Sequence, residues 1–224
     1  MNRKDIQGFE IKNRSALLIG CGGLGCSIAV HLVGAGIGKL TLCDFDTVSE
    51  SNLNRQFLYT KEDIGKEKTT AAKARLQAYS DDSEITAVSE KIEDLSDLEK
   101  AGKADIVFSA VDNAETRKLI MEYALRHSVP CVFGVIDGFY GMSYLFIPGM
   151  TPCIHCAALC EKVGIRSSVS ATAGIIGSCE AALGIEYLIT NNSSLGGKLL
   201  VYDSGSFDTL PINPSENCEI CKNL

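Results

Sequence analysis

Leu18-Ile-Gly-Cys-Gly-Gly-Leu-Gly25, together with the chain from there to Lys68, organises the rest of the sequence. An apolar strand over 16–19 runs into Gly20-Cys-Gly-Gly-Leu-Gly25, and an apolar helix over 24–35 leads out of it. A glycine-rich turn between strand and helix is the setting in which a nucleotide's phosphates sit on unpaired helix N-terminal amides. A second strand over 40–43 ends in Asp44, placed to accept a hydrogen bond from a ribose hydroxyl. These features alone describe any Rossmann-like domain, and a glycine turn can close tightly with no ligand.

The continuation is more particular. Asp44 is succeeded by Phe45-Asp-Thr-Val-Ser-Glu-Ser-Asn-Leu-Asn-Arg-Gln-Phe57 and then by Gly65-Lys-Glu-Lys68, which bring Asn52, Arg55 and Lys68 within reach of the glycine turn. A redox dinucleotide needs one pyrophosphate cradled, whereas a triphosphate under attack needs cations on the charge that develops as pyrophosphate leaves. With a later Asp112-Asn113, these motifs stand in one order and cover nearly the whole chain. On them the sequence resembles the ThiF/MoeB/HesA family of adenylyltransferases, relatives of the ubiquitin-activating enzymes.

The resemblance implies an α/β fold: a Rossmann-like nucleotide-binding domain with a mixed sheet of about eight strands. It implies that Gly20, Gly22, Gly23, Gly25, Asp44, Ser51, Asn52, Arg55, Lys68, Asp112 and Asn113 bind ATP. Arg55, Lys68 and Asp112 carry the chemistry, and Asp112 holds Mg²⁺. The implied reaction joins AMP to the C-terminal Gly-Gly carboxylate of a ubiquitin-like sulfur-carrier protein and releases pyrophosphate. Relatives are usually homodimers. Many also use a cysteine in the loop before the late helix to form a covalent intermediate. Ser168 stands in that place here, which leaves Cys160 and Cys179 as the thiols that could act instead. The family's N-terminal arginine has only Arg3 as a counterpart. No rhodanese domain is legible, so the sulfur donor is expected to be a separate protein.

At 224 residues, 46% hydrophobic, the chain suffices for one sizeable α/β domain. We read it as one unit over 1–224: an arm over 1–14, a nucleotide-binding core over 15–135, and a C-terminal portion over 136–224. The net charge of -7 repels a polyanion on average, so nucleic acid is not an expected main partner. No apolar run is read as approaching the roughly 18 to 20 residues of a membrane span, and Met1-Asn-Arg-Lys-Asp5 is not followed by the apolar stretch of a signal peptide. A cytoplasmic location is expected.

Beyond the nucleotide core the pattern predicts a helix over 67–79, a strand over 84–88, a short helix over 95–100 and a buried strand over 105–109. A helix over 114–127 and a strand over 130–134 succeed them. Next come a strand over 140–147, a helix of small residues over 171–189, and strands over 198–203 and 207–211. Asp112 thus falls at the end of a parallel strand, where α/β sheets bind ligands. Its bland alternative is to cap the adjoining helix, a role Asn113 could fill instead.

Of ten cysteines, Cys153, Cys156, Cys218 and Cys221 form two C-x-x-C pairs far apart in sequence. Such a set reads as a structural zinc site, four thiolates filling a tetrahedron and leaving no position for substrate. It would tie the segment after residue 147 to the C-terminal region. A redox C-x-x-C would need no second pair.

Three other functions share part of this pattern. A dehydrogenase accounts for the glycine turn and Asp44 but for neither Lys68 nor Asp112. A tRNA-base dehydratase of the same superfamily uses the same nucleotide machinery, and a non-enzymatic nucleotide-binding module would retain ATP without turnover.

Overall fold

A computed structural model describes residues 11–160 and 168–221. The chain begins β1 (Ser15–Ile19), α1 (Gly23–Ala35), β2 (Lys39–Cys43), α2 (Lys68–Tyr79), β3 (Glu84–Val88), α3 (Leu95–Lys100), β4 (Ile106–Ser109) and α4 (Ala114–His127). It continues β5 (Cys131–Asp137), β6 (Tyr140–Phe146), α5 (Ser170–Thr190), β7 (Lys198–Asp203) and β8 (Ser206–Pro211). The strands form one sheet in the order β3-β2-β1-β4-β5-β6-β7-β8. From β3 to β5 neighbours run parallel, and from β5 to β8 they run antiparallel.

The central strands β1, β4 and β5 are buried on both faces, which is why they read as nearly continuous apolar runs, whereas β3 at the edge alternates. Ala16 and Leu18 of β1 pack with α1 and α5, while Leu17 and Ile19 join a second core with α3 and α4. Chain order reverses between β1 and β4, and a doubly wound sheet opens a crevice at that point, outside its carboxyl ends. The glycine turn after β1 and Asp112 after β4 flank it.

Two expectations are corrected. β5 continues to Asp137, beyond the expected end at Gly134, because its pairing with β6 is unbroken from Cys131↔Phe146 to Asp137↔Tyr140. The late helix, α5, spans 21 residues and is long and apolar enough by composition to cross a membrane, contrary to the reading that no such run exists. In the fold it packs against α1 and against β4, β5 and β6.

The middle of α5 carries Glu180, fully buried, with neither carboxylate oxygen hydrogen-bonded. Any side chain on Gly134 would run into that carboxylate, so this β5 position takes glycine to make room for it. Burial pushes the Glu180 carboxyl well up, with the Arg117 cation opposing. A carboxyl whose pKa is raised by folding costs stability as pH climbs above its unfolded value of about 4.3. Glu180→Gln is therefore expected to gain on the wild type between pH 4 and pH 7, by at most about 1.4 kcal/mol per pH unit. Melting curves across that range check it. Equal pH slopes would show that Glu180 is not held protonated.

At the far edge, all six residues of β8 are exposed, Phe207 and Leu210 among them.

Candidate active site and metal centre

The glycine turn is pinned by close packing. Gly20 has φ +94°, and a side chain there would strike the Ala110 carbonyl at the end of β4. Gly25 lies against the Gly20 carbonyl in the same way, so its role is packing. Gly22 caps α1 without a side chain, and no acidic residue occupies the helix's first turn. Cys26 N–H bonds back to the Gly22 carbonyl, which leaves the amides of Gly23 and Leu24, both in the cleft wall, for an anion.

Asp44 is held by two amides, Cys21 N–H at 2.7 Å and Asp46 N–H at 2.8 Å. Each oxygen keeps a lone pair for a sugar hydroxyl. Burial pushes this carboxyl up, and Lys68 and the two amides oppose the shift. The ionised form is the better acceptor, so acidification should weaken ATP binding from a higher pH than for an ordinary carboxylate. Titrating ATP affinity against pH in the wild type and in Asp44→Asn tests this. The Asn variant should bind more weakly at neutral pH and show a flatter profile.

Lys68 opens α2 and is buried, its ammonium 2.7 Å from Asp46 Oδ2 and its amide bonded to the Asp46 carbonyl. Arg55 donates to the Ser51 carbonyl at 3.1 Å and to Asn54 Oδ1 at 2.8 Å. Asn52 accepts from Ser49 N–H at 3.1 Å, and Ser51 Oγ pairs with Ser49 Oγ at 2.9 Å. The turn at Glu50–Asn52 is thus held by its own side chains and presents Asn52 and Arg55 to the cleft.

Across the crevice, Asn113 caps α4 by accepting from Thr116 N–H at 2.8 Å. Asp112 is exposed and forms no hydrogen bond or ion pair among the described residues. Of the two roles open to it, ligand binding and capping, the second belongs to its neighbour.

These groups line one cleft of about 870 Å³, within the range of small-molecule sites. Gly20, Gly22, Gly23, Asp44, Asn52, Arg55, Lys68, Asp112 and Asn113 all contribute to its walls. Gly25 and Ser51 do not. The walls also include Gln56, Arg117, Gly134 and Ser168, none of which was expected to bind ATP. Gln56 is buried with Oε1 unpartnered. Its one signal in the sequence was its place beside Arg55. Arg3 lies outside the described residues.

The two C-x-x-C pairs meet. Sγ separations are 3.9 Å for Cys153 and Cys156, 3.5 Å for Cys153 and Cys218, and 3.7 Å for Cys156 and Cys221. Four sulfurs about 2.3 Å from a tetrahedral zinc stand about 3.8 Å from one another, whereas a disulfide requires about 2.05 Å. Backbone amides point at the sulfurs as they do at thiolates: Cys153 N–H at 3.2 Å from Cys221 Sγ, and Ser215 N–H at 3.3 Å from Cys156 Sγ. The Cys221 amide pulls the Cys218 thiol down to about 7. The donor set fits zinc.

Of the remaining candidate thiols, Cys160 is 9% exposed, and burial pushes it up to about 11. Burial likewise raises Cys179 on α5. Ser168 lines the cleft and bridges to Gly138.

The model of the ThiF family matches residues 7–222. The chain is 37% identical over 169 residues to the sulfur carrier protein ThiS adenylyltransferase of Bacillus subtilis, covering 75% of this chain and 50% of that protein. It is 33% identical to the sulfur carrier protein adenylyltransferase of Thermus thermophilus, covering 95% and 83%. It is 30% identical to the molybdopterin-synthase adenylyltransferase of Salmonella typhimurium, covering 97% and 91%. The chain thus spans half of the first relative's length and most of the other two. Among solved structures, E. coli MccB with ATP shares the fold, with a TM-score of 0.85 at 24% identity, over 94% of this chain and 67% of that one. With a family model matched over nearly all of its length and relatives matched almost from end to end, the chain belongs to the ThiF family.

Proposed function

We propose that this chain is an ATP-dependent adenylyltransferase acting on the C-terminal Gly-Gly carboxylate of a small ubiquitin-like sulfur-carrier protein. One observation carries the reading: an unclaimed carboxylate, Asp112, shares a cleft with the α1 amides and with Lys68 and Arg55. The names of the Bacillus and Thermus relatives support the carrier as substrate.

A carboxylate is already ionised at neutral pH and attacks without a general base. His31, His127 and His155 all stand away from the cleft walls, in keeping with a reaction that needs no base. The work left to the protein is to hold the attacking oxygen in line with the α-phosphate and to stabilise the leaving pyrophosphate. Asp44 fixes the sugar, the α1 amides cradle phosphate, and Lys68 and Arg55 supply positive charge. Asp112 would hold Mg²⁺, which supplies charge neutralisation on the phosphates. The four cysteines would hold a structural Zn²⁺.

Carrier-dependent exchange of labelled pyrophosphate into ATP tests the reading. Exchange should require the carrier's terminal glycines, and a protein that binds ATP but exchanges with no such carrier would overturn it.

The same reading includes a separate sulfur donor, a homodimer and a cytoplasmic site of action. With Ser168 in the loop and both candidate thiols raised by burial, the reaction is expected to stop at the acyl-adenylate, or to pass it to an external sulfur donor, without a covalent enzyme-carrier intermediate. Mass spectrometry under non-reducing conditions should find no enzyme-carrier adduct. An adduct lost in Cys160→Ala would reverse that expectation.

A further inference from the structure

The periodicity of α4 assigns residue 117 to its buried face, with Ala114, Ile120, Met121 and Ala124. An apolar residue belongs there, yet the position holds Arg117, only 3% exposed. Its guanidinium makes no ion pair among the described residues, Asp112 and Glu180 supporting its charge only at longer range, and its Nε lacks any hydrogen-bond partner. Burying a cation on those terms is costly, and an apolar side chain of similar volume would fill the space at no such cost.

What the guanidinium does hold is two carbonyls from distant parts of the chain. One nitrogen donates to the Val111 oxygen at 3.1 Å and the other to the Leu159 oxygen at 3.3 Å. Val111 immediately precedes Asp112. Leu159 ends the turn that carries Cys153 and Cys156, and that turn is closed by Ala157 N–H to the Cys153 carbonyl and Leu159 N–H to the Ile154 carbonyl. Arg117 itself contributes to the wall of the cleft.

We propose that Arg117 is a positioning residue for adenylation, fixing the Asp112 turn in the cleft wall against the turn that carries Cys153 and Cys156. A planar fork of donors holds two acceptors at a set separation, which the single ammonium of lysine cannot reproduce. The role rests on the adenylation proposed above.

The test uses the zinc-loaded full chain with Arg117→Met and Arg117→Lys. For both variants we expect a melting temperature close to wild type and an unchanged dissociation constant for ATP measured without Mg²⁺, because neither the α1 amides nor Asp44 depends on Arg117. The kcat for carrier-dependent exchange should fall about 10- to 100-fold, the usual consequence of misplacing reactants by about an ångström. Lysine should fall with methionine. Recovery of kcat in Arg117→Lys would show that charge suffices and overturn the proposal, as would loss of ATP affinity in parallel with rate. Should Arg117→Met melt early, Arg117→Lys decides alone: normal melting with low kcat supports the proposal, and normal kcat sinks it.

A second readout needs no turnover. ATP with Mg²⁺ should slow alkylation of Cys160 by iodoacetamide in the wild type but leave it unchanged in Arg117→Met, measured on the Cys160 peptide. The same nucleotide effect in both proteins would overturn the coupling. A wild type without exchange would sink the adenylation reading, and the alkylation ratio would still judge Arg117.

Discussion

Replacing Asp112 with asparagine should lower carrier-dependent ATP-pyrophosphate exchange by about 10²- to 10³-fold, the usual loss when one preorganised electrostatic contact is removed. The melting temperature should not move. Asn is nearly isosteric, Asp112 is exposed, and helix α4 is capped by Asn113. Removing the cap instead, in Asn113→Ala, should cost about 1 kcal/mol of stability. The two neighbours therefore separate cleanly: one variant loses rate at constant stability, the other loses stability first. Exchange near the wild-type rate in Asp112→Asn would remove Asp112 from the reaction. Arg55→Ala should also abolish most exchange. Because Arg55 bonds to the Ser51 carbonyl and to Asn54, that variant loosens its own turn as well.

The second large effect belongs to the cysteine centre. The purified protein should contain about one zinc per chain, and Cys218→Ser should lower the melting temperature by on the order of 10 °C or more. A structural zinc contributes folding free energy directly, and each kcal/mol lost moves the melting point of a domain this size by about 2 to 4 °C. Cys153 Sγ and Cys218 Sγ lie 3.5 Å apart although the residues are 65 positions apart in sequence. Losing the metal therefore frees the segment after β8 that returns the chain to the knuckle, while β7 and β8 remain paired in the sheet. Elemental analysis and thermal melting before and after chelation decide the point. Metal-free protein that melts where the untreated protein does would refute the assignment.

The parts of the site that were legible in the sequence are those whose geometry admits few residue types. A turn that packs against its neighbouring strand needs glycine at Gly20, and Asp44 and Asp112 come at the ends of parallel strands, the one before Asp112 written as an unbroken apolar run by burial on both faces. Less was legible where one motif serves two purposes. Gly25 belongs to the same glycine pattern as Gly22 and Gly23 but packs under the turn instead of lining the cleft. Gly134 looked like the end of a strand because glycine commonly punctuates one. It is internal to β5, and the reason sits on α5 in Glu180, 46 positions later, which no local window contains. Arg117 and Gln56 were missed because polar residues are normally solvated, and only packing reveals these two as buried.

The outermost strand, β8, has a consequence for handling the protein in solution. It hydrogen-bonds to β7 on one side, and no strand pairs with its other side among the described residues. An open edge bearing Phe207 and Leu210 is a template onto which another chain's strand can add. Asp208 and Pro211 work against this, one by charge and the other by withholding an N–H. Concentrated samples should accordingly be more prone to self-association when salt screens Asp208. A lysine in place of Phe207 is the natural choice for keeping such samples dispersed during crystallisation.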